Sequence, residues 1–351
     1  MSKTVLVTGG TGSVGSWTIV ELLKRGYSVR TTVRSLDKEA GLRERIAVEV
    51  DPADRLSFFA ADLTSDVGWE AAVNGCNYVL HIAAPVGVQA PRNPDDLIIP
   101  TRDGALRVIR AACTAKVERV VLTSAVEACR PLMNSPDGIF DETVWTDVSD
   151  PDLGPYRIAK TLAERAVWAF MANQSGPTTL STVLPVAVAG PTLNPDNHHS
   201  TALVERMLNG SLPRFPRIGF GIVDVRDVAD LHIRAMTVPE AAGERFIAAS
   251  EFVWLADVAK ILRSELGETA KKVPTKQMPD FMLRIVALFQ RPMRFVVPTI
   301  GRRHDFTSAK AQTILGWKPR PVAVTLVDSA RSAIAVGAVR TRVTLIQERT
   351  T

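Results

Sequence analysis

The sequence predicts an α/β protein, a doubly wound parallel sheet followed by a smaller C-terminal substrate lobe. Three observations predict it. Short β-branched runs alternate with longer helical patterns through the first 190 residues. A glycine-rich turn joins the first run to the first helix. Beyond Gly190-Pro191 the alternation gives way to a stretch dense in proline and glycine.

The elements follow in order. Residues 4–8 read as a buried strand and residues 14–25 as a helix that stops at Gly26. Strands follow at 28–33, 56–60 and 78–82, then a helix at 100–115 and a fifth strand at 119–123. Residues 153–171 form a long amphipathic helix and 179–184 a sixth strand. Strands alternating with helices imply parallel pairing through right-handed crossovers. Residues 222–225 and 244–248 read as short strands returning to the main sheet, 253–267 and 307–317 as helices, and 281–300 as a helix-turn segment. This divides the chain into a nucleotide domain over 1–190, with returns near 222–250, and a substrate lobe over 191–221 and 251–335. Residues 337–351 read as a mobile tail.

Composition excludes several classes. Of 351 residues 46% are hydrophobic and 23% charged, as in ordinary globular proteins, and the formal charge of +5 reads as dispersed, with no dense basic arm for nucleic acid. Cys76, Cys113 and Cys129 form no CxxC pair and read as reduced thiols. No leader precedes the first strand, and the most apolar long stretch, 281–300, is interrupted by Arg284, Gln290, Arg291, Pro292 and Arg294. A cytoplasmic protein without membrane or nucleic-acid partner is expected, as monomer or homodimer. His198-His199 lack a third ligand nearby, so no metal site is indicated.

The turn reads Thr8-Gly9-Gly10-Thr11-Gly12-Ser13-Val14-Gly15. Glycines there allow a tight turn and close approach of backbone to a pyrophosphate, which the helix N-terminus then attracts. This is the dinucleotide-binding, Rossmann-type arrangement. The second strand ends Val33-Arg34-Ser35, with no acid and with Lys38 shortly after. An acid there would hold the ribose 2′-hydroxyl of NAD; Arg34 instead suits a 2′-phosphate, so NADP(H) is expected. Asp62 and Leu63 follow the third strand, where the carboxylate can accept from the adenine amino group. Ala83, Ala84 and Pro85 end the fourth strand and let backbone lie beside the cofactor. His81 is given no chemical role.

Tyr156-Arg157-Ile158-Ala159-Lys160 sets a phenol and an ammonium at i and i+4 on one helix face. An isolated tyrosine titrates near 10, and a neighbouring cation lowers that value enough for acid–base work.

Together, the turn, this pentapeptide, Gly75 to Pro85 and Leu184 to Pro191 resemble the extended short-chain dehydrogenase/reductases. The similarity extends from residue 2 to about 330 and is greatest to the branch of dihydroflavonol reductase, cinnamoyl-CoA reductase and the aldehyde reductases. The resemblance implies reduction of an aldehyde or ketone, with hydride from NADPH and a proton from Tyr156. Lys160 would tune Tyr156 and hold the nicotinamide ribose. Thr11, Gly12, Ser13, Val14 and Gly15 would meet the phosphates, and Thr123, Pro185, Val186 and Val188 the nicotinamide side of the cleft. A serine at the end of strand five would hydrogen-bond the carbonyl oxygen.

Two departures stand out. The family usually has two serines after the threonine, the second catalytic, whereas this chain reads Thr123-Ser124-Ala125. Alternation along a strand turns Ser124 away unless the strand end bends. Ser124 through such a bend, Thr123, or water would have to replace the missing hydroxyl, or activity is weak. The polyphenol-contacting positions of the flavonoid enzymes become Arg130 and Gly221, so a flavonoid substrate is not expected. A pocket from residues 86–94, 127–133 and 193–220 suits a hydrophobic or aromatic carbonyl compound. The alternatives are a 3β-hydroxysteroid or sugar-nucleotide enzyme of the same family, or a regulatory NADP-binding protein with little catalysis.

Overall fold

The computed structural model describes residues 2–85, 93–151, 153–194, 200–294 and 296–339. The sequence expectations for 86–92, for His198-His199 and for the tail beyond 339 fall outside the described residues.

Side-chain alternation decides the layering. In β1 (Thr4–Thr8), Val5 and Val7 enter one apolar layer and Leu6 the other, all fully buried. The next elements are α1 (Ser13–Lys24), β2 (Ser28–Val33), α2 (Glu39–Ala47), β3 (Leu56–Ala60), α3 (Trp69–Val73) and β4 (Tyr78–His81). Then come α4 (Asp95–Thr114), β5 (Arg119–Thr123), the short β6 (Gly138–Phe140), α5 (Pro155–Ala172) and β7 (Thr179–Pro185). After β8 (Ala187–Ala189) and α6 (Ala202–Leu208), β9 (Gly219–Asp224), α7 (Val225–Thr237), β10 (Arg245–Ala248) and β11 (Glu251–Trp254) complete the middle of the chain. The last part holds α8 (Leu255–Leu266), α9 (Asp280–Phe289), α10 (Arg291–Arg294), β12 (His304–Phe306), α11 (Ala309–Leu315) and α12 (Val322–Ala335).

Seven strands form one wholly parallel sheet in the order β10-β7-β5-β4-β1-β2-β3. Strand order reverses between β1 and β4, which opens a crevice at their carboxyl ends. One face packs Trp17, Ile19 and Val20 of α1 with Val228 and Leu231 of α7; the other packs Ala105, Val108 and Ile109 of α4 with Val167 of α5. A separate apolar cluster joins Val204 and Met207 of α6, Val258 and Leu262 of α8, and Leu326 and Ala330 of α12.

Several elements differ from the sequence reading. Residues 222–225 do not return to the main sheet, because β10 already occupies the free edge of β7. β9 pairs instead with β8, the continuation of the chain past Pro185, and with β11 in a three-stranded sheet. Residues 251–254, read in part as helix, are β11. The helix at 100–115 begins earlier, at Asp95, and tolerates Pro100 within it; the carbonyl that the proline leaves without a donor belongs to exposed Asp96. Helix α7 starts because buried Asp224 caps it, accepting from Arg226 N at 2.9 Å. Asp227 of that helix anchors the chain beyond α11: fully buried Trp317 donates to the Asp227 carbonyl at 2.9 Å, and the Asp227 carboxylate accepts from Arg320 N at 2.7 Å.

Candidate active site

The glycine turn leaves β1 with Gly9 in the left-handed region (φ +73), and a Cβ there would stand 2.9 Å from Ala83 Cα. A Cβ on Gly15 would stand 2.2 Å from the Gly9 carbonyl oxygen, which accepts from Gly12 N at 3.0 Å. Both positions need glycine because backbone approaches backbone. Gly12 caps α1 with no side-chain hydrogen bond and no acid stands in the first turn, so the helix presents its N–H groups and positive pole to the crevice. This is a cradle that an anionic pyrophosphate fits.

The cleft above it measures about 1050 Å³. It brings together Gly9, Thr11 to Gly15, Arg34, Asp62, Leu63, Ala83 to Pro85, Thr123, Ser124, Tyr156, Lys160, Pro185, Val186 and Val188. Every position assigned from the sequence lines it except Lys38. After exposed Arg34 the chain bends into a short turn, Leu36–Lys38, capped by Ser35, in which Lys38 is exposed. Asp62 accepts from Thr64 N and Oγ1 through one carboxylate oxygen, at 2.7 and 2.6 Å; these bonds, with the Arg34 and Arg107 charges, hold its carboxyl below the ordinary range.

His81 lies fully buried beneath the cleft. Thr8 Oγ1 accepts from Ile82 N and Ala83 N, both at 3.0 Å, so its own proton goes to His81 Nδ1 at 2.8 Å. Burial pushes the imidazole down to about 3. It therefore orders the β4 exit as a neutral group.

On α5, Tyr156 is 42% exposed because its ring faces the open cleft, whereas Lys160 is buried and donates to the Thr123 carbonyl at 3.1 Å. Burial pushes Lys160 down to about 8, against the pull of Glu164. Desolvation, aided by the negative charge of Glu127, pushes the Tyr156 phenol up to about 12. In this arrangement the Lys160 ammonium is held by the Thr123 carbonyl.

The strand-five hydroxyls are committed elsewhere. Ser124 Oγ donates to the fully buried Glu164 Oε2 at 2.6 Å, and that carboxylate pairs with Arg245 Nε at 2.9 Å. His232 donates through Nδ1 to the Val228 carbonyl at 2.8 Å, so its Nε2 takes the Thr123 hydroxyl proton at 2.7 Å. Ala125 lines the cleft without a donor.

The substrate end is more charged than its sequence suggested. Glu127 stands between two guanidinium groups, 2.8 Å from Arg130 Nε and 2.5 Å from Arg157 Nε. Burial opposes its ionisation, but these two charges outweigh it and hold the carboxyl below its usual range. Of the stretches expected to line the pocket, Glu127, Arg130, Ser200 and Ile218 to Phe220 do so. Arg157, Val296, Thr299, Arg302 and His304 were not anticipated; only Arg157, adjacent to Tyr156 in the helix, carried a local signal.

The profile of the NAD dependent epimerase/dehydratase family matches residues 5–249. The chain belongs to that family. Cinnamoyl-CoA reductase 1 of Arabidopsis thaliana is 36% identical over 279 residues, covering 78% of this chain and 77% of the relative. An anthocyanidin reductase of Vitis vinifera is 34% identical over 290 residues, covering 78% and 83%. Among solved structures, yeast methylglyoxal/isovaleraldehyde reductase Gre2 complexed with NADPH superposes with a TM-score of 0.79 at 25% identity, covering 95% of this chain and 99% of that one. As a member of this NAD(P)-binding family the protein is an oxidoreductase of the extended short-chain dehydrogenase/reductase type. Among the described residues no helix is long and apolar enough to cross a membrane.

Proposed function

We propose that the protein is an NADPH-dependent carbonyl reductase that converts an aldehyde or ketone to an alcohol. Residues 1–190, with β10 as the one later strand that joins the main sheet, hold the nucleotide; residues 191–221 and 251–335 contribute the substrate side. The observation that carries this reading is that Tyr156 and Lys160 share one cleft with the glycine turn and Arg34. Arg34 in place of an acid favours the 2′-phosphate of NADPH, the cofactor with which the yeast reductase was solved.

NADPH, when bound, supplies the hydride. Tyr156 Oη–H gives its proton to the carbonyl oxygen as that oxygen gains negative charge. A phenol near 12 is protonated at neutral pH and is still a stronger acid than the alcohol being formed, so the transfer runs downhill. Lys160, protonated below about 8, is assigned to the ribose and to stabilising the phenolate left behind, which requires its Nζ to turn from the Thr123 carbonyl into the cleft.

One observation favours a second reading, a nucleotide-binding regulator with little catalysis: Ser124 and Thr123 have their hydroxyls engaged and Ala125 has none. Measuring NADPH oxidation with a panel of aldehydes and ketones separates the two. Steady turnover that falls at least about 100-fold in Tyr156→Phe supports the reductase. Tight NADPH binding without turnover supports the regulator, and turnover untouched by Tyr156→Phe refutes the assignment of the proton donor.

A further inference from the structure

The basic excess read as dispersed is concentrated. Residues 271–303 hold eight lysines and arginines against one acid, Asp280, a net +7 in a chain whose total is +5. Asp280 is itself neutralised by Arg217 at 2.6 Å.

This segment contains α9, whose burial pattern is unusual for a surface helix. Leu283 and Ala287 face inward at 5% exposure, yet the outward side is also apolar: Phe281 is 63% exposed, Ile285 51%, Leu288 67% and Phe289 84%. At 100° per residue these four, with Met282, occupy an arc of roughly 120°, and Arg284 stands at its edge. The far end is stiffened by Arg294, which donates to the Ala287 and Leu288 carbonyls at 3.1 and 3.2 Å. Exposed Lys271, Lys272 and Lys276 precede the helix and exposed Arg302 and Arg303 follow it. Val296, Thr299 and Arg302, which follow the helix in the chain, line the cleft.

A large exposed apolar patch marks an interaction site. A second copy of this chain would bring +7 against +7 across a two-fold interface, where like charges repel. An anionic bilayer satisfies both halves of the pattern: aromatic and aliphatic side chains enter the acyl boundary while the surrounding lysines and arginines meet the headgroups.

We infer that α9 and its basic flanks dock this protein on the surface of an anionic lipid membrane. The helix lies in the interface and does not span it, so this binding does not require a long apolar stretch.

The test is flotation of the full chain with vesicles of phosphatidylcholine containing about 30 mol % phosphatidylserine, against vesicles of phosphatidylcholine alone. The protein is expected to float with the anionic vesicles at least about tenfold more than with the neutral ones and to be released by about 0.5 M salt. Leu288→Ser/Phe289→Ser removes two side chains that touch mainly solvent, so its fold and its NADPH oxidation with a water-soluble aldehyde should be retained while vesicle binding is lost. Lys271→Glu/Lys272→Glu should weaken binding in proportion to charge, about fivefold or more per residue. No flotation with anionic vesicles, equal flotation with neutral ones, or binding unchanged in Leu288→Ser/Phe289→Ser would each overturn the inference. So would a lipid-free dimer, seen by sedimentation velocity, that the same apolar double variant dissociates, because the face would then belong to a second copy.

Discussion

Serine at position 124 and alanine at 125 allow a paired test of how the carbonyl oxygen is held. The Ser124 hydroxyl is spent on Glu164, 2.6 Å away, inside a fully buried site where Thr182 Oγ1 and Arg245 Nε, each at 2.9 Å, occupy the other carboxylate oxygen. In Ser124→Ala, Glu164 Oε2 keeps one protein donor, Arg245 at 3.4 Å. A buried carboxylate deprived of a short hydrogen bond costs about 1–3 kcal/mol, so Ser124→Ala is expected to lower stability by that amount. Turnover should stay within about twofold, since that hydroxyl does not reach the substrate in this arrangement. Ala125→Ser adds a donor where the cleft wall has none, and a gained oxyanion donor is worth on the order of 100-fold in kcat. The assays are urea unfolding for stability and NADPH oxidation with a reducible aldehyde for kcat. If Ser124→Ala abolished turnover at unchanged stability, or Ala125→Ser left kcat where it was with NADPH affinity intact, the assignment of these hydroxyls would be wrong.

Arg34→Asp should raise the KM for NADPH about 10- to 100-fold, the worth of a charge-assisted contact, while improving use of NADH; equal loss with both cofactors would exclude Arg34 as the phosphate reader. Gly15→Ala places a Cβ 2.2 Å from the Gly9 oxygen and forces the turn open by about 0.8 Å. Calorimetric NADPH affinity should then fall by about tenfold or more, and unchanged affinity would show that the turn does not hold the pyrophosphate. Acid sensitivity follows from His232, which burial pushes down to about 4 from 6.5. The unfolded chain binds that proton first, so stability is full above about 6.5 and is lost as pH falls toward 4. Between about pH 7.5 and 5, His232→Gln should lose about 2 kcal/mol less than the parent in urea unfolding; an identical loss would mean that His232 is not the titrating group.

Local chemistry was enough to pick out residues that the fold gathers along one side of the cleft. Gly15 is needed because the turn's own backbone approaches it, Arg34 follows from the end of β2, and Tyr156 and Lys160 are one helical turn apart; each of these is met within a few neighbouring residues, whereas the close neighbour that Gly9 meets, Ala83, comes from the distant β4 exit. The alternation of β1, β2, β4 and β5 with helices likewise made the parallel sheet readable, because side-chain periodicity is set along the strand. What only the tertiary structure decided was pairing between residues far apart in the chain. Ser124 could be oriented only by Glu164 on α5, Thr123 only by His232 on α7, and the charge at the substrate end only by the approach of Arg157 and Arg130 to Glu127. The fate of residues 222–225 depended on β10 having already taken the edge of β7. Periodicity records which way a side chain points, but a hydrogen bond or a sheet edge is settled by whichever distant partner arrives there, and that partner is not encoded in the neighbouring residues.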